Sequence, residues 1–344
     1  MKERLVYVDL VRAYSIFLVT SFHIWRFFSE PTLEFFKYYD FYLIFKKGDW
    51  GVILFFIISG FSMALITHDK ISTSTINWKN YFIKRLYRIV PAYYFAILIW
   101  TILILNGIAP KPISFFDQIT HLLFIHTLFP STFYSISGVF WTLGIEMQFY
   151  LILPFIVAFI IKYPLITISI TILPILFSIF SKFNFPINSA FIFCLFYFIL
   201  GYLIFIYKNQ IYRLFFDNRY KKIIFITFII IFLHFTFIKE SLINIQLNKL
   251  LWVIFFLPIF IYMSENKLIQ ESKNKFLSFI VYTGTASYSI YLYNYIYYIT
   301  PKPIIQNFYA PVFYFIFVYL IGILMYLIIE KPIQKIKQKF IKSF

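Results

Sequence analysis

Gly51-Val52-Ile53-Leu54-Phe55-Phe56-Ile57-Ile58-Ser59-Gly60-Phe61-Ser62-Met63-Ala64-Leu65-Ile66-Thr67-His68 contains no lysine, arginine, aspartate or glutamate. About 20 mostly apolar residues, rising 1.5 Å each, carry a helix across the hydrocarbon core of a bilayer, so this stretch predicts a membrane span. Nine further stretches qualify beside it. The full set is 8–28, 51–68, 90–107, 138–161, 165–181, 189–207, 223–238, 249–264, 277–298 and 308–329. The predicted fold is all-α: a polytopic integral membrane protein of about ten transmembrane helices, one membrane domain over residues 1–344. Residues 115–129 are apolar too, but the segment is short and carries His121 and His126, and it reads as re-entrant or interfacial. No small-residue cleavage site follows the first span, which reads as a retained helix rather than a signal peptide.

The composition demands the same environment. Hydrophobic residues make up 61% of the 344 and charged residues 13%, where a soluble domain carries about 25% charged residues. So little polar material cannot cover a soluble protein of this size, and lipid becomes the outer solvent. A single cysteine, Cys194, excludes an intrachain disulfide and a thiolate metal cage. The net charge of +17 raises the question of nucleic acid, yet no basic stretch is long or dense enough to form a nucleic-acid arm. In a membrane protein, lysine and arginine mark the cytoplasmic loops. With a cytoplasmic N-terminus and ten spans, the inner segments hold 21 of the 31 Lys and Arg and the outer segments nine, so both termini are predicted to be cytoplasmic. The basic tail 331–344, with Lys331, Lys335, Lys337, Lys339 and Lys342, suits an anionic inner leaflet.

Ionisable groups at membrane depth are costly and therefore mark function first. Arg12, His23 and Glu146 are the three that stand out. Arg12 and His23 are eleven residues apart, so on one helix they return to within roughly 20° of the same face, about 16 Å apart along the axis. Glu146 lies roughly 12 Å into the fourth span, counted from its outer end, a depth broadly similar to that of His23. A carboxylate bonded to one ring nitrogen would fix the tautomer and leave the other nitrogen as a base. The structural alternatives are an Arg12 that snorkels to the interface and a His23 satisfied in the interior.

Arg85 and Arg88 sit just before Pro91 and share a face at i, i+3. Placed at the start of the third span, they would meet an anion together with free backbone N–H groups, and two guanidiniums suit a phosphorylated ligand. Anchoring to the inner leaflet is the competing explanation. His121 and His126, five apart, fit one helix face poorly as metal ligands, so no metal site is predicted. No glycine-rich phosphate loop and no Gly-x-Ser-x-Gly elbow is present.

Several stretches, in order, resemble one family. Tyr7-Val8-Asp9-Leu10-Val11-Arg12-Ala13 leads to Ser21-Phe22-His23, and Gly51 to Phe61 follows. Arg85-Leu86-Tyr87-Arg88-Ile89-Val90-Pro91-Ala92-Tyr93-Tyr94 is next, then Phe140-Trp141-Thr142-Leu143-Gly144-Ile145-Glu146-Met147-Gln148-Phe149-Tyr150-Leu151 with Pro154. Ser287-Tyr288-Ser289-Ile290-Tyr291-Leu292-Tyr293 and Glu330-Lys331-Pro332 close the series. Together they resemble the acyltransferase-3 family of membrane O-acyltransferases, which modify sugars and other surface molecules. Two positions depart from its pattern: Ile53 stands where the family often has an acidic residue, and Asn294 where it often has histidine. The hydrolase-like outer domain of some members is not expected here.

The resemblance implies an acyl-CoA donor, acetyl-CoA first and succinyl-CoA as a variant, with no permanently bound cofactor. Arg85 and Arg88 would hold its phosphates, with Arg12 near the same entrance. His23 would take the proton from an acceptor hydroxyl or briefly carry the acyl group, and Glu146 would orient the imidazole. Trp141, Tyr150, Tyr291 and Asn294 would support the site or face the acceptor, an envelope glycan or other sugar. The implied location is a bacterial cytoplasmic membrane, and richness in Lys, Ile, Phe, Tyr and Asn fits an AT-rich genome. The competing class is a non-enzymatic exporter or flippase of a glycan or lipid-linked sugar. It is weakened by the absence of visible inverted repeats.

Overall fold

Helices lie over every one of the ten apolar stretches in the computed structural model. It describes residues 5–28, 34–36, 39–40, 43–73, 75–109, 111–181, 187, 190–217, 219–239, 244–299 and 309–342. Lys2, Arg4, Lys37, Lys182 and Lys302 of the charge count, and residues 189, 308, 343 and 344 at the ends of segments named above, lie outside them. In chain order the helices are α1 (Val6–Phe27), the short α2 (Leu43–Lys46), α3 (Gly51–Ser72), α4 (Trp78–Leu105), α5 (Phe115–Leu122) and α6 (Trp141–Lys162). Then follow α7 (Pro164–Ser181), α8 (Ala190–Phe216), α9 (Lys221–Phe237), α10 (Ile245–Glu265) and the single turn α11 (Lys267–Gln270). α12 (Lys275–Leu292), α13 (Tyr309–Met325) and α14 (Lys331–Lys342) complete the series, with a π-helical turn at Tyr326–Glu330. A two-residue ladder, β1 (Glu34–Phe36) with β2 (Tyr39–Asp40), is antiparallel. Among the described residues, seven helical segments are long and apolar enough to cross a membrane by length and composition. The chain is a polytopic helical membrane protein.

Local chemistry sets two boundaries, and apolar counting misplaced the first. α4 was expected to begin near residue 90, but Asn77 caps it by accepting the Asn80 N–H at 2.9 Å, and the helix starts at Trp78. Lys79, Lys84, Arg85 and Arg88 hide these first turns from a hydropathy reading, although all have good helix propensity. α5 opens with a capping box between Ser114 and Asp117. It stops at Leu122, and Phe124 then takes a left-handed backbone (φ 60°) that reverses the chain. Segment 115–129 is therefore one short helix followed by a turn, too short to cross. The basic tail is helical through Lys342.

The chain divides into two compact units: residues 1–68, 163–185 and 196–285 form the first, and 69–162, 186–195 and 286–344 the second. In the first unit, α3 and α8 meet backbone to backbone. A Cβ on Gly60 would strike the carbonyl oxygen of Phe198, and one on Gly201 that of Ile57. Small residues at such crossings are how membrane helices approach closely where lipid tails offer no hydrophobic drive. Phe61 packs edge-on to Tyr7 and Phe260 nearby, with Tyr7 and Phe61 centroids 6.0 Å apart. The buried Lys47 donates to the carbonyls of Phe235 (3.1 Å) and Ile238 (2.7 Å), closing the C-terminal end of α9 with a cation.

In the second unit, α4, α6 and the C-terminal end of α12 carry buried core residues. Trp100 Nε1 donates to the Leu292 carbonyl at 3.2 Å, tying α4 to the end of α12. Pro332 has no N–H for the carbonyl four residues back. The turn directly before it is π-helical and brings Glu330 inward, 4% exposed.

Candidate active site

Within the second unit, four of the motif stretches quoted above converge. Glu146 and Tyr150 lie one turn apart on α6, and the Tyr150 hydroxyl donates to Glu146 Oε1. Arg85 of α4 sits over the Tyr150 ring, 5.6 Å from its centroid, and Tyr81, one turn earlier, donates to the Tyr150 carbonyl at 3.2 Å. Arg85 is 8% exposed, and its Nε has no hydrogen-bond partner among the described residues. A buried donor left unsatisfied costs about 1–3 kcal/mol, more when charged, so a group held this way is ready for an anionic ligand. From α12, the Tyr288 hydroxyl donates to the Ile89 carbonyl at 2.9 Å and Ser289 Oγ to Glu330 Oε2 at 2.6 Å. Gln334 Nε2 also donates to Glu330, at 2.9 Å. Thr142 Oγ1 donates to the Tyr291 hydroxyl at 2.9 Å, and that hydroxyl donates to the Val139 carbonyl at 3.0 Å. Trp141 stacks on Phe133 at 5.7 Å, and Asn294 is fully buried just beyond α12.

Contrary to the expectation that Arg85 and Arg88 open the third span, no helix N-terminus lies beside them. Because α4 starts at Trp78, the two arginines occupy its third and fourth turns, and no free backbone N–H groups lie beside them. They share a face as expected, with Arg85 buried and Arg88 half-buried. Any anion there is held by side chains alone.

Arg12 and His23 belong to the first unit and lie on one helix, α1, so they share a stripe as their spacing predicts. Arg12 Nη1 bonds Asp9 Oδ1 at 3.0 Å, an i, i+3 ion pair in which Asp9 is 5% exposed. Asp9 went unnoticed in the sequence, although its spacing from Arg12 is the ordinary helical ion-pair spacing. His23 is half-buried, edge-on to the Phe22 ring at 5.1 Å.

The motifs on α1, α3, α4, α6, α12 and the π-helical turn thus occupy helices that carry their polar groups inward. The family model described as an acyltransferase domain, acyltransferase-3, matches residues 5–331. The chain belongs to the acyltransferase-3 family. The match takes in the first five stretches of this acyltransferase-3 protein whole and reaches Lys331 of the sixth. No curated protein and no solved structure matches it.

One arrangement in this acyltransferase-3 chain escaped the sequence reading. His121, at the end of α5, and His126, just beyond the reversal at Phe124, stack face to face, with centroids 3.9 Å apart and planes 11° from parallel. Spacing on one helix face was the wrong test, because the helix ends between them. His121 Nδ1 bonds the Tyr93 hydroxyl at 2.8 Å and its Nε2 bonds Ser135 Oγ at 3.0 Å. His126 Nε2 bonds the Phe140 carbonyl at 3.0 Å, which makes it the protonated nitrogen. Among the described residues no third ligand joins them to form a group able to hold a metal ion.

Burial first, and then the neighbouring imidazole, pushes His121 down to about 2, and burial pushes His126 down to about 4. The unfolded chain therefore takes up protons on these groups before the folded chain does, as pH falls from 6.5 toward about 4. Their contribution to stability is complete above 6.5 and is lost below it, at roughly 1.4 kcal/mol per pH unit for each imidazole. Thermal unfolding in detergent is expected to show this acid loss, with a shallower slope in the His121→Gln/His126→Gln double variant. Equal slopes would mean that the pair is not held neutral.

Proposed function

We propose that the protein transfers an acyl group, acetyl in the first instance, from cytoplasmic acyl-CoA to a hydroxyl of an envelope glycan in a bacterial cytoplasmic membrane. The observation that carries this reading beyond the family is the buried Arg85, stacked on a tyrosine that Glu146 holds, with one guanidinium donor unspent. A guanidinium so placed suits an anionic group arriving from the side where most lysines and arginines lie. Ten spans with both termini inside put α4 at that face by its N-terminal half.

In this reading Arg85 and Arg88 hold donor phosphate, and Arg12, steadied by Asp9, adds positive potential on α1. His23 takes the proton of the acceptor hydroxyl, and the acceptor oxygen attacks the thioester carbonyl. The carbon–sulfur bond breaks, and the departing sulfur takes the proton from His23, so free coenzyme A and the O-acyl ester are the products. Glu146 is a positioning carboxylate: through Tyr150 it sets the ring on which Arg85 rests. Tyr291 and Asn294, at the end of α12, and Trp141, at the start of α6, support the acceptor side.

The test is transfer of labelled acetyl from acetyl-CoA into envelope glycan by membranes carrying the chain, with succinyl-CoA as the second donor. Label that depends on both donor and chain supports the reading. Glycan moved across the membrane with no donor dependence would overturn it in favour of a carrier. On the donor side, Arg88→Ala and Arg85→Lys are expected to raise the acyl-CoA KM by about tenfold or more, with kcat little changed, since charge-assisted hydrogen bonds contribute about 1.5–3 kcal/mol. Donor curves that superimpose on the native curve would return both residues to membrane anchoring.

A further inference from the structure

A cavity of about 220 Å³ lies in the second unit, at the C-terminal end of α4, beside the loop before α6 and the turn after α12. Three aromatic side chains are among its walls. Trp100 is 2% exposed, with its indole N–H committed to the Leu292 carbonyl. Tyr295 and Tyr298 lie nearly parallel, 5.5 Å apart with planes 19° from each other, and Tyr298 is exposed at the rim. Two polar groups join them. Ser137 is 2% exposed, and its Oγ bonds to no other group among the described residues. Lys111 donates from Nζ to the Tyr134 carbonyl at 2.7 Å, and burial lowers its pKa. The residue before Ser137, Ile136, holds a left-handed backbone at φ 58°. A β-branched residue rarely adopts that conformation, and it costs on the order of 1–3 kcal/mol.

These features select among ligands. An acyl chain gains from the aromatic walls but leaves the buried Ser137 hydroxyl unsatisfied, a cost of about 1–3 kcal/mol. A phosphate needs several donors or cations, and the one lysine is already bonded to a carbonyl. The volume is below the roughly 300–1,000 Å³ of sites for drug-sized ligands, far too small for coenzyme A. A sugar ring meets every condition, because its two C–H faces lie flat on aromatic faces while its hydroxyl edge takes and gives hydrogen bonds. Aromatic side chains with a polar tip serve both needs at once.

We propose that this cavity is the acceptor subsite and holds one pyranose ring of the glycan between the Trp100 and Tyr295/Tyr298 walls, with Ser137 Oγ bonded to a ring hydroxyl. The inference rests on the glycan acceptor of the proposed function. On the orientation proposed there, the ends of α4 and α12 that frame the cavity face outside, where an envelope glycan is found.

The test has a binding arm that needs no catalysis. The full chain in detergent is titrated with the methyl pyranosides of glucose, galactose, mannose and N-acetylglucosamine, following tryptophan emission against a Trp100→Phe control. At least one glycoside is expected to change the emission of the native chain and not that of the control. Ser137→Leu, which fills the cavity, and Tyr298→Ala, at the exposed rim where folding is undisturbed, are each expected to weaken binding tenfold or more. No response to any of the four sugars, an undiminished response in both variants, or a response to hexanoate alone would overturn the proposal. In the transfer assay the same two variants are expected to raise the KM for glycan while the acyl-CoA KM stays native. If the native chain transfers no acyl group, the proposed function fails, and the binding arm still decides the cavity.

Discussion

The His23→Ala chain is expected to insert and fold as the native chain does, yet to transfer acyl groups about 10²–10⁴-fold more slowly, the usual contribution of a positioned acid–base group. His23 is half-buried on α1, in a helix whose packing rests on buried neighbours such as Val19, Ile24 and Trp25, so truncating it removes little of the core. Labelled acetyl transfer at saturating donor and acceptor measures the effect, with detergent-extracted yield and melting temperature as controls. Transfer within a few-fold of native, from a chain that folds normally, would remove His23 from the chemistry. His23→Gln separates chemistry from packing: it keeps a polar group of similar reach but can neither accept a proton nor carry an acyl group, so it is expected to be as inactive as the alanine variant.

The second large effect concerns folding. Gly60→Leu and Gly201→Leu are each expected to abolish the yield of folded protein, and even alanine at either site is expected to destabilise it measurably. The added Cβ meets a main-chain carbonyl of the facing helix, Phe198 at Gly60 and Ile57 at Gly201. A flexible side chain can swing aside, but backbone cannot, so the helices must separate. Overpacking ordinarily costs about 1–3 kcal/mol and occasionally more. Here separation also forfeits the contacts on either side of the crossing, such as Phe56 on Phe198 at 4.7 Å. Melting temperature in detergent for the two alanine variants, compared with the native chain, checks this. Gly60→Ala and Gly201→Ala chains that melt with the native chain would show that α3 and α8 do not pack through these glycines.

Membrane residence and family were legible because both are written in local sequence. An apolar run declares its solvent whatever surrounds it, and Arg85-x-x-Arg88, Glu146 with Tyr150, and Ser287 to Tyr293 each occupy one helix. Within one helix, spacing translates directly into geometry: Arg12 and His23 share a stripe, Arg85 and Arg88 share a face, and Glu146 meets Tyr150 one turn on. The start of α4 was less legible, since its first turns are charged and a single cap, Asn77, decides where they begin.

What lay beyond sequence is what depends on chain reversal and on helices meeting. The turn at Phe124 stacks His121 on His126, two residues that five-residue spacing had set apart. The meeting of α4, α6 and α12 puts Arg85 on Tyr150 and leaves its Nε unpartnered, and the end of α12 beside Trp100 and Ser137 makes the cavity. By itself the sequence determined the solvent, the helices and the family, because hydrophobicity and helical period act over neighbouring residues. Only the tertiary structure decided which polar groups are satisfied and where space is left. Those follow from packing between segments up to nearly 200 residues apart, as in the Tyr288 bond to Ile89, a distance no local period encodes.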